Sequence, residues 1–397
     1  MLSGYDIACL SNTDWDGHIT CKQQIMSRLA RQNRILYVNR PMSLLSPTTG
    51  REEFTARKQL VDCFRGIREV ASNLFVGTPP VVLPLRFLAI SDIINSLIMG
   101  AWLKRAMKRL GMTNPIFWTF LPETARLVDR FGDYLSIYHC VDEHSEWGVW
   151  WNPPSLVQAH ERELIRAVDF VITTSQHLRR RKAKFNSNCY FVPNAADFDL
   201  FSKAIDPDIQ VPSDLSVIPK PVIGYVGILG PDHIDIDWIE HASKNLSYSF
   251  VFVGKKSVKT FDLSRLERCK HIHFLPFKKP DQLPGYLKGM DICLIPYVKN
   301  ERIDAVFPLK LFEYLAAGKP VVARRTAELE PYSHIVSLVD TAEEFLEAIK
   351  ACLQNNSDAR IKERVNAARA NTWEARIETL SELILKHLEG RPQGPKC

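Results

Sequence analysis

At 397 residues the chain exceeds what one ordinary core accommodates, so two domains of about 150 to 200 residues each are expected. Its 46% hydrophobic and 24% charged residues exclude a disordered chain, and no apolar run reaches the roughly 18 residues of a membrane-spanning helix. A net charge of +6 suits anionic partners without marking a nucleic-acid binder, and nine scattered cysteines without C-x-x-C spacing argue against a zinc site or a disulfide framework.

The opening segment MLSGYDIACLSNTDW lacks the basic flank and apolar core of a signal peptide, so no export is expected, and a cytoplasmic location with reduced thiols follows. YDIACLS (5–11) reads as a buried strand, CKQQIMSRLARQ (21–32) as a helix and RILYVNR (34–40) as the next strand. The loop SNTDWDGHIT (11–20) joins them. Gly17 there allows close backbone approach to a ligand. Asp14 and Asp16 invite a metal reading, but two carboxylates without further oxygen ligands do not make a site.

PPVVLPLRFLAISDIINSLIMGAWLKRAMKRLG (79–111) reads either as a buried helix with a basic end or as an amphipathic surface resting on an anionic membrane. PIFWTF (115–120), LSIYHCVD (135–142), FVITTS (170–175) and CYFVP (189–193) continue the strand series. Apolar runs with little alternation and helical segments between them predict parallel strands covered on both faces, hence a doubly wound α/β domain over 1–197. HLRRRKAKF (177–185) reads as a solvated helix face or as an anion contact.

HCVDEHSEW (139–147) places His139, Asp142, Glu143 and His144 at the carboxyl end of a strand, where open α/β sheets bind ligands. An imidazole or carboxylate there could deprotonate or orient a hydroxyl. The plain alternative is that Asp142 caps the following helix and His139 is a satisfied core histidine.

A linker is expected over 198–221, marked by the Pro- and Asp-rich stretch DPDIQVPSDLSVIPKP (206–221). A second strand series over 222–370 follows: VIGYVG (222–227), SFVFVG (249–254), HIHFLP (271–276), ICLIPY (292–297), PVVAR (320–324) and IVSLVD (335–340). A C-terminal helix over 371–390 and a frayed tail over 391–397 complete the chain.

AVFPLKLFEYLAAGKPVV (305–322) carries the most chemistry. Pro308 suits the first helical position and leaves the N–H groups of Phe307 and Leu309 free for an anion, to which Lys310 adds a full charge. Lys310 and Glu313 share one helix face, and a carboxylate there can accept hydrogen bonds from two vicinal hydroxyls, as on a ribose. Gly318 then ends the helix. An ordinary Lys–Glu helix pair would have the same spacing.

FPLKLFEYLAAGKPVVA, with LIPY ahead of it, closely resembles the donor-nucleotide motif of bacterial group 1 glycosyltransferases. DWDGHITCKQQIMSRLARQNRILYVNR resembles their N-terminal loop and helix, FVPNAADFDLF their interdomain crossing and NTWEARIETL their terminal helix. The resemblance implies two Rossmann-like doubly wound domains facing a cleft, the glycosyltransferase-B fold. It implies that Glu313 holds the ribose hydroxyls of a nucleotide sugar, that Lys310 with the backbone at Phe307 and Pro308 approaches the diphosphate, and that Gly227 forms a glycine turn near the phosphates. Asp142 and His139 would serve the acceptor hydroxyl chemically, and Asp16 and Gly17 would form an acceptor-side loop.

Two departures stand out. Ala305 occupies the place of a second glutamate that many retaining members carry, beside Asp304, and the acidic GILGPDHIDIDWIEH offers no counterpart to their Arg and Lys. Lys255 and Lys256 are either substitutes or surface lysines.

The expected function is transfer of a sugar from a nucleotide diphosphate sugar to a hydroxyl of a lipid-linked or polysaccharide acceptor. No metal or other cofactor and no nucleic acid is expected; a peripheral contact with an anionic membrane is. The alternatives are a nucleotide-sugar 2-epimerase on the same fold and a non-catalytic nucleotide-sugar or glycan-binding protein. A nicotinamide-dependent dehydrogenase is disfavoured because no G-x-G-x-x-G follows the first strand.

Overall fold

Fourteen strands carry the apolar runs in the computed structural model, which describes residues 1–17, 19–41, 56–83, 89–131, 133–144, 153–231, 233–256, 261–389 and 391. The first eight are β1 (Asp6–Leu10), β2 (Arg34–Val38), β3 (Arg68–Ala71), β4 (Leu74–Gly77), β5 (Ile116–Thr119), β6 (Leu135–Cys140), β7 (Phe170–Thr173) and β8 (Cys189–Phe191). They form one sheet in the order β3-β4-β2-β1-β5-β6-β7-β8. Every neighbouring pair is parallel except β3 with β4. The remaining six are β9 (Val222–Val226), β10 (Ser249–Val253), β11 (Ile272–Leu275), β12 (Ile292–Ile295), β13 (Val321–Arg324) and β14 (Ser337–Val339). Their order is β11-β10-β9-β12-β13-β14, parallel throughout.

All residues of β1, β6, β9, β10, β12 and β13 are buried, which is why these strands read as unbroken apolar runs rather than alternating ones. In each sheet the chain reverses its winding direction once, between β1 and β5 in the first and between β9 and β12 in the second. Crevices outside the carboxyl ends of strands at such reversals are where doubly wound sheets bind ligands.

The chain divides into one unit of Met1–Pro193 with Arg376–Cys397 and another of Asn194–Ala375. This differs from the sequence-based boundaries, which put the first domain at 1–197, a linker at 198–221 and a separate helix at 371–390. The Pro- and Asp-rich stretch is fixed to the second unit. Asp214 accepts from Lys278 Nζ at 2.6 Å and from the Tyr286 hydroxyl at 2.8 Å, while Lys288 Nζ donates to the carbonyls of Asp206 and Pro207 at 2.6 and 2.9 Å. The helix Trp373–Leu388 hands its later turns to the first unit. Arg376 Nε donates to the Pro193 carbonyl at 2.9 Å, and the His387 ring stacks on Phe170 at 4.4 Å.

The basic run at 177–185 is more than a solvated face. Lys182, at the end of the helix Gln176–Lys182, is buried and pairs with Glu143 at 3.2 Å and Glu161 at 2.6 Å. Glu161 also accepts from the Tyr138 hydroxyl at 2.7 Å.

The helix Ala89–Arg109 buries Met99, Leu103, Ala106 and Met107, yet leaves Ile90, Ile93 and Leu97 exposed; residues 84–88 of the segment lie outside the described residues. Among the described residues no helix is long and apolar enough to cross a membrane.

Candidate functional site

In the second unit, two glycines sit where strands β9 and β10 end. Gly227 has φ +149° and Gly254 φ +156°, conformations that disfavour any side chain. A Cβ on Gly254 would lie 1.8 Å from the Gly227 carbonyl oxygen, and one on Gly227 would lie 3.2 Å from Lys310 Nζ. The glycine turn and the Lys310 ammonium are therefore immediate neighbours.

Lys310 opens the helix Lys310–Ala316. Pro308 was expected at the first helical position; instead it begins the turn before the helix, its carbonyl accepting from the Leu311 N–H at 3.1 Å. Phe307 is buried, its ring stacked on Phe312 at 5.4 Å and its carbonyl accepting from Asn194 Nδ2 at 3.2 Å. Backbone–backbone partners are absent among the described residues for the N–H groups of Phe307 and Leu309. Gly318, with φ +69°, follows the helix as expected. The Tyr314 hydroxyl accepts from the Val226 N–H at 2.9 Å and so ties this helix to β9.

The Lys310 ammonium donates to the Tyr297 hydroxyl at 2.9 Å and the Tyr225 hydroxyl at 3.3 Å, and it lies over both rings at 5.0 and 4.7 Å from their centroids. The Tyr225 hydroxyl in turn donates a hydrogen bond to the Ile228 carbonyl at 2.8 Å. Burial opposes the Lys310 charge, but the two tyrosine oxygens outweigh it and hold the pKa above the ordinary lysine value.

Glu313, one turn on, makes no ion pair and no hydrogen bond among the described residues. An ordinary Lys–Glu pair is thereby set aside: the two share a face, but the lysine is committed to tyrosines and the carboxyl is left open. Burial pushes the Glu313 pKa up to about 7, with Lys310 pulling the other way. A half-buried carboxylate with vacant lone pairs beside a held ammonium can take vicinal hydroxyls and an adjoining anion at once.

The sequence reading missed His233. It stands edge-on to Tyr297 at 5.4 Å between ring centroids, with Nδ1 buried and unbonded. Burial first, then Lys310 and Arg302, lower its pKa to about 3. The signal was its place just after β9, masked by the acidic character of that loop. Those acids have other work: Asp235 caps the helix Ile236–Asn245 and pairs with Arg324, and Asp237 meets Arg265 at 2.9 Å.

Lys256 pairs with Glu267 at 3.5 Å and Lys255 lies over the Phe277 ring at 5.8 Å. Both are the surface lysines of the plainer reading. Ala305 is fully buried and presents no carboxylate.

The other candidates lie in the first unit. Asp16 pairs with Arg68, and the Gly17 N–H closes a turn on the Asp14 carbonyl at 3.2 Å. Asp142 follows β6, half-buried, its carboxylate without a partner among the described residues, so it caps no helix there. His139 is 1% exposed, between Trp118 and Phe120 at 5.9 and 4.9 Å, with neither ring nitrogen bonded. Burial, then Lys22, lowers its pKa to about 3. Such an imidazole stays neutral and does not collect protons near pH 7, which corrects the general-base assignment. It is equally not the satisfied core histidine of the alternative. Glu143 belongs to the Lys182 network, and 145–147 lie outside the described residues. Among the described residues no group of three or more His, Cys, Asp or Glu is arranged to hold a metal.

Known proteins resemble this chain. The family described as "Glycosyl transferases group 1" matches residues 220–355, which contain the glycine turn, Lys310 and Glu313. TuaH of Bacillus subtilis strain 168, named as a teichuronic acid biosynthesis glycosyltransferase, is 29% identical over 232 residues, or 55% of this chain. The match spans a little over half of that relative, 57% of its length. Among solved structures, sucrose-phosphate synthase of Thermosynechococcus elongatus superposes with TM-score 0.69 at 16% identity, over 96% of this chain and 98% of the other. HepE of Anabaena, solved with UDP-glucose, gives 0.66 at 14% identity over 96% and 99%. The UDP-forming trehalose-phosphate synthase of Burkholderia vietnamiensis gives 0.69 at 12% identity over 98% and 99%. At these identities the likeness establishes the fold: two Rossmann-like domains of the glycosyltransferase-B class.

Proposed function

Residues 220–355 match the group 1 glycosyltransferase family, and from that premise we propose that the chain transfers a sugar from a nucleoside diphosphate sugar to an acceptor hydroxyl in polysaccharide assembly. The observation that carries this reading is the open Glu313 carboxylate beside a Lys310 ammonium held by two tyrosines at a side-chain-free turn. Glu313 takes the ribose hydroxyls. Lys310 faces the diphosphate, and Gly227 leaves room for it.

In the reaction the bond from the anomeric carbon to the diphosphate oxygen breaks, the electron pair stays on the diphosphate, and the acceptor oxygen bonds to the anomeric carbon. Charge builds on the leaving group, and a preorganised cation there lowers the barrier. Lys310 is that cation, already desolvated and fixed, so no metal is required. His233 Nδ1, buried and unbonded beside Tyr297, can donate to a phosphate oxygen as a neutral imidazole, which supplies a hydrogen bond but not the charge of the missing basic pair. On the first unit, Asp142 is the group we assign to orient the acceptor hydroxyl.

Uridine is the first base to test, because HepE is solved with UDP-glucose and the trehalose-phosphate synthase neighbour is named as UDP-forming. The TuaH relative, named for teichuronic acid biosynthesis, favours transfer to a glycan acceptor over the epimerase alternative. We place the protein at the cytoplasmic face of a membrane, held peripherally by the exposed Ile90, Ile93 and Leu97 with the basic end Lys104, Arg105, Lys108 and Arg109.

Calorimetric titration of UDP, GDP and ADP into wild type, Lys310→Ala and Glu313→Ala tests the donor half. Selective binding lost in both variants is expected; binding untouched by either change sinks the proposal. Incubation with donor alone and with candidate acceptors then separates transfer from epimerisation, and activity abolished by a chelator and restored by magnesium or manganese would refute the metal-free reaction.

A further inference from the structure

Among the described residues the first unit carries two lysines buried to the same degree, and they are treated oppositely. Lys182 is flanked by Glu143 and Glu161. Lys22, the second residue of the helix Cys21–Leu29, is 4% exposed, and its ammonium makes no hydrogen bond or ion pair among the described residues. What it has instead is the Phe120 ring, 5.5 Å from Nζ.

Around it lie further unmet hydrogen-bonding atoms. Both ring nitrogens of His139, Nε2 of His144, Nε1 of Trp118 and Oδ1 of Asn12 are buried without a partner. They share one end of the sheet: Asn12 follows β1, Trp118 lies on β5, and His139 and His144 lie at the end of β6 and just beyond it. Strands β1, β5 and β6 are consecutive neighbours, and this is their carboxyl end, at the winding reversal. A buried polar atom without a partner costs free energy. Five such atoms at one end of one sheet do not stabilise the core, and each leaves a hydrogen-bonding position open.

The chemistry of that ligand follows from the set. Lys22 supplies a positive charge and makes itself felt at both histidines, whose pKa values are lowered by burial first and by Lys22 in addition. The imidazoles are therefore neutral, each with one donor and one acceptor nitrogen. Glu161, Asp142 and Glu123 are also felt at His144; Lys22 with neutral imidazole donors suits one compact anionic group on a polyhydroxylated molecule, and Asp142 at the same end accepts from a hydroxyl.

We propose that Lys22, with the free nitrogens of His139 and His144, forms an anion-binding subsite that receives an acidic group of the acceptor, a carboxylate or a phosphate monoester carried on a sugar. Calling the ligand an acceptor rests on the sugar-transfer reading; the subsite itself does not.

The test titrates glucose, glucuronate and glucose 6-phosphate into the full chain, wild type and Lys22→Met, followed by saturation-transfer NMR of the sugar. At least one acidic sugar is expected to bind wild type at least about tenfold more tightly than glucose, as a charge-assisted contact provides. Which acid does so separates carboxylate from phosphate. In Lys22→Met that preference falls to within about twofold. Melting curves of both proteins in anion-free buffer confirm that the variant is folded. UDP affinity, read on the same samples, reports separately on the Lys310 site. Acidic and neutral sugars bound alike, no sugar bound, or an acid preference that survives Lys22→Met would each overturn the subsite. An acid preference seen in a protein that binds no nucleotide would leave the subsite standing and remove the donor reading instead.

Discussion

Replacing Glu313 by glutamine exchanges a carboxyl for an amide of the same shape, and the structure predicts opposite signs in two assays. In the folded protein the carboxyl is raised from 4.5 to about 7 by burial, so its ionised form is disfavoured by about 3.4 kcal/mol at about 1.36 kcal/mol per pH unit. The side chain is only half-buried, and solvent screening reduces this to about 1–2 kcal/mol. Below the unfolded value both states are protonated and no penalty exists. As pH rises from 4.5 to 7 the unfolded state loses its proton first, and folding stability falls across that window. Above pH 7 the full penalty remains. Glu313→Gln carries none, so it should match wild type at pH 4 and melt about 2–8 °C higher at pH 8, given about 2–4 °C per kcal/mol for a domain of this size.

UDP binding should move the other way. Losing the charge on an acceptor of hydroxyl hydrogen bonds costs about 1.5–3 kcal/mol, or about 10- to 150-fold in affinity. The wild-type affinity should also rise between pH 6 and 8 as Glu313 ionises, over and above any change shared with the variant through the ligand's own phosphates. Melting curves across pH and calorimetry with UDP provide both readouts. A variant less stable at pH 8, or one that binds UDP as wild type does, refutes the assignment of an open, strained carboxylate.

Lys310→Met should weaken UDP binding at least about tenfold while leaving the second unit folded, since its tyrosine partners keep a hydroxyl outlet such as Tyr225 to Ile228; calorimetry with a melting control decides it. Gly254→Ala should destabilise by more than about 2 kcal/mol and abolish nucleotide binding, because its Cβ would lie 1.8 Å from the Gly227 carbonyl. Wild-type urea unfolding of that variant would mean the turn yields easily. Lys182→Met leaves Glu143 and Glu161 buried without their cation and should cost about 3–5 kcal/mol, seen as a lower urea midpoint for the first unit. Anionic liposomes should co-sediment the protein at low salt and release it at high salt, and an Ile90→Glu/Leu97→Glu double variant should stay in the supernatant; equal sedimentation of both proteins would remove the helix Ala89–Arg109 from the contact.

Strand content was legible because strands buried on both faces must be apolar throughout, and β1, β9, β10 and β12 announce themselves in any reading of the chain. The shared face of Lys310 and Glu313 was legible for a related reason. Three-residue spacing puts Lys310 and Glu313 on one helix face whatever surrounds them. What that spacing could not say is whether the two meet each other. The answer came from Tyr225 and Tyr297, 85 and 13 residues away from Lys310 in sequence, which reach it only because the sheet sets β12 beside β9.

The misread segments share this cause. His139 looks the same in sequence whether its ring faces solvent or the Trp118 and Phe120 rings. The Pro- and Asp-rich stretch looks like a linker until Lys278, Tyr286 and Lys288 meet it. Lys22 and Lys182 are both lysines near the start or end of a helix, one left without a counter-ion and one paired twice. Local periodicity is written in the chain because it depends on residues a few positions apart, and it gave the elements and the doubly wound class, while the motif at 305–322 came from the family resemblance. Charge state, burial and partner depend on segments that only folding brings near, and these were decided by the order of strands in the two sheets.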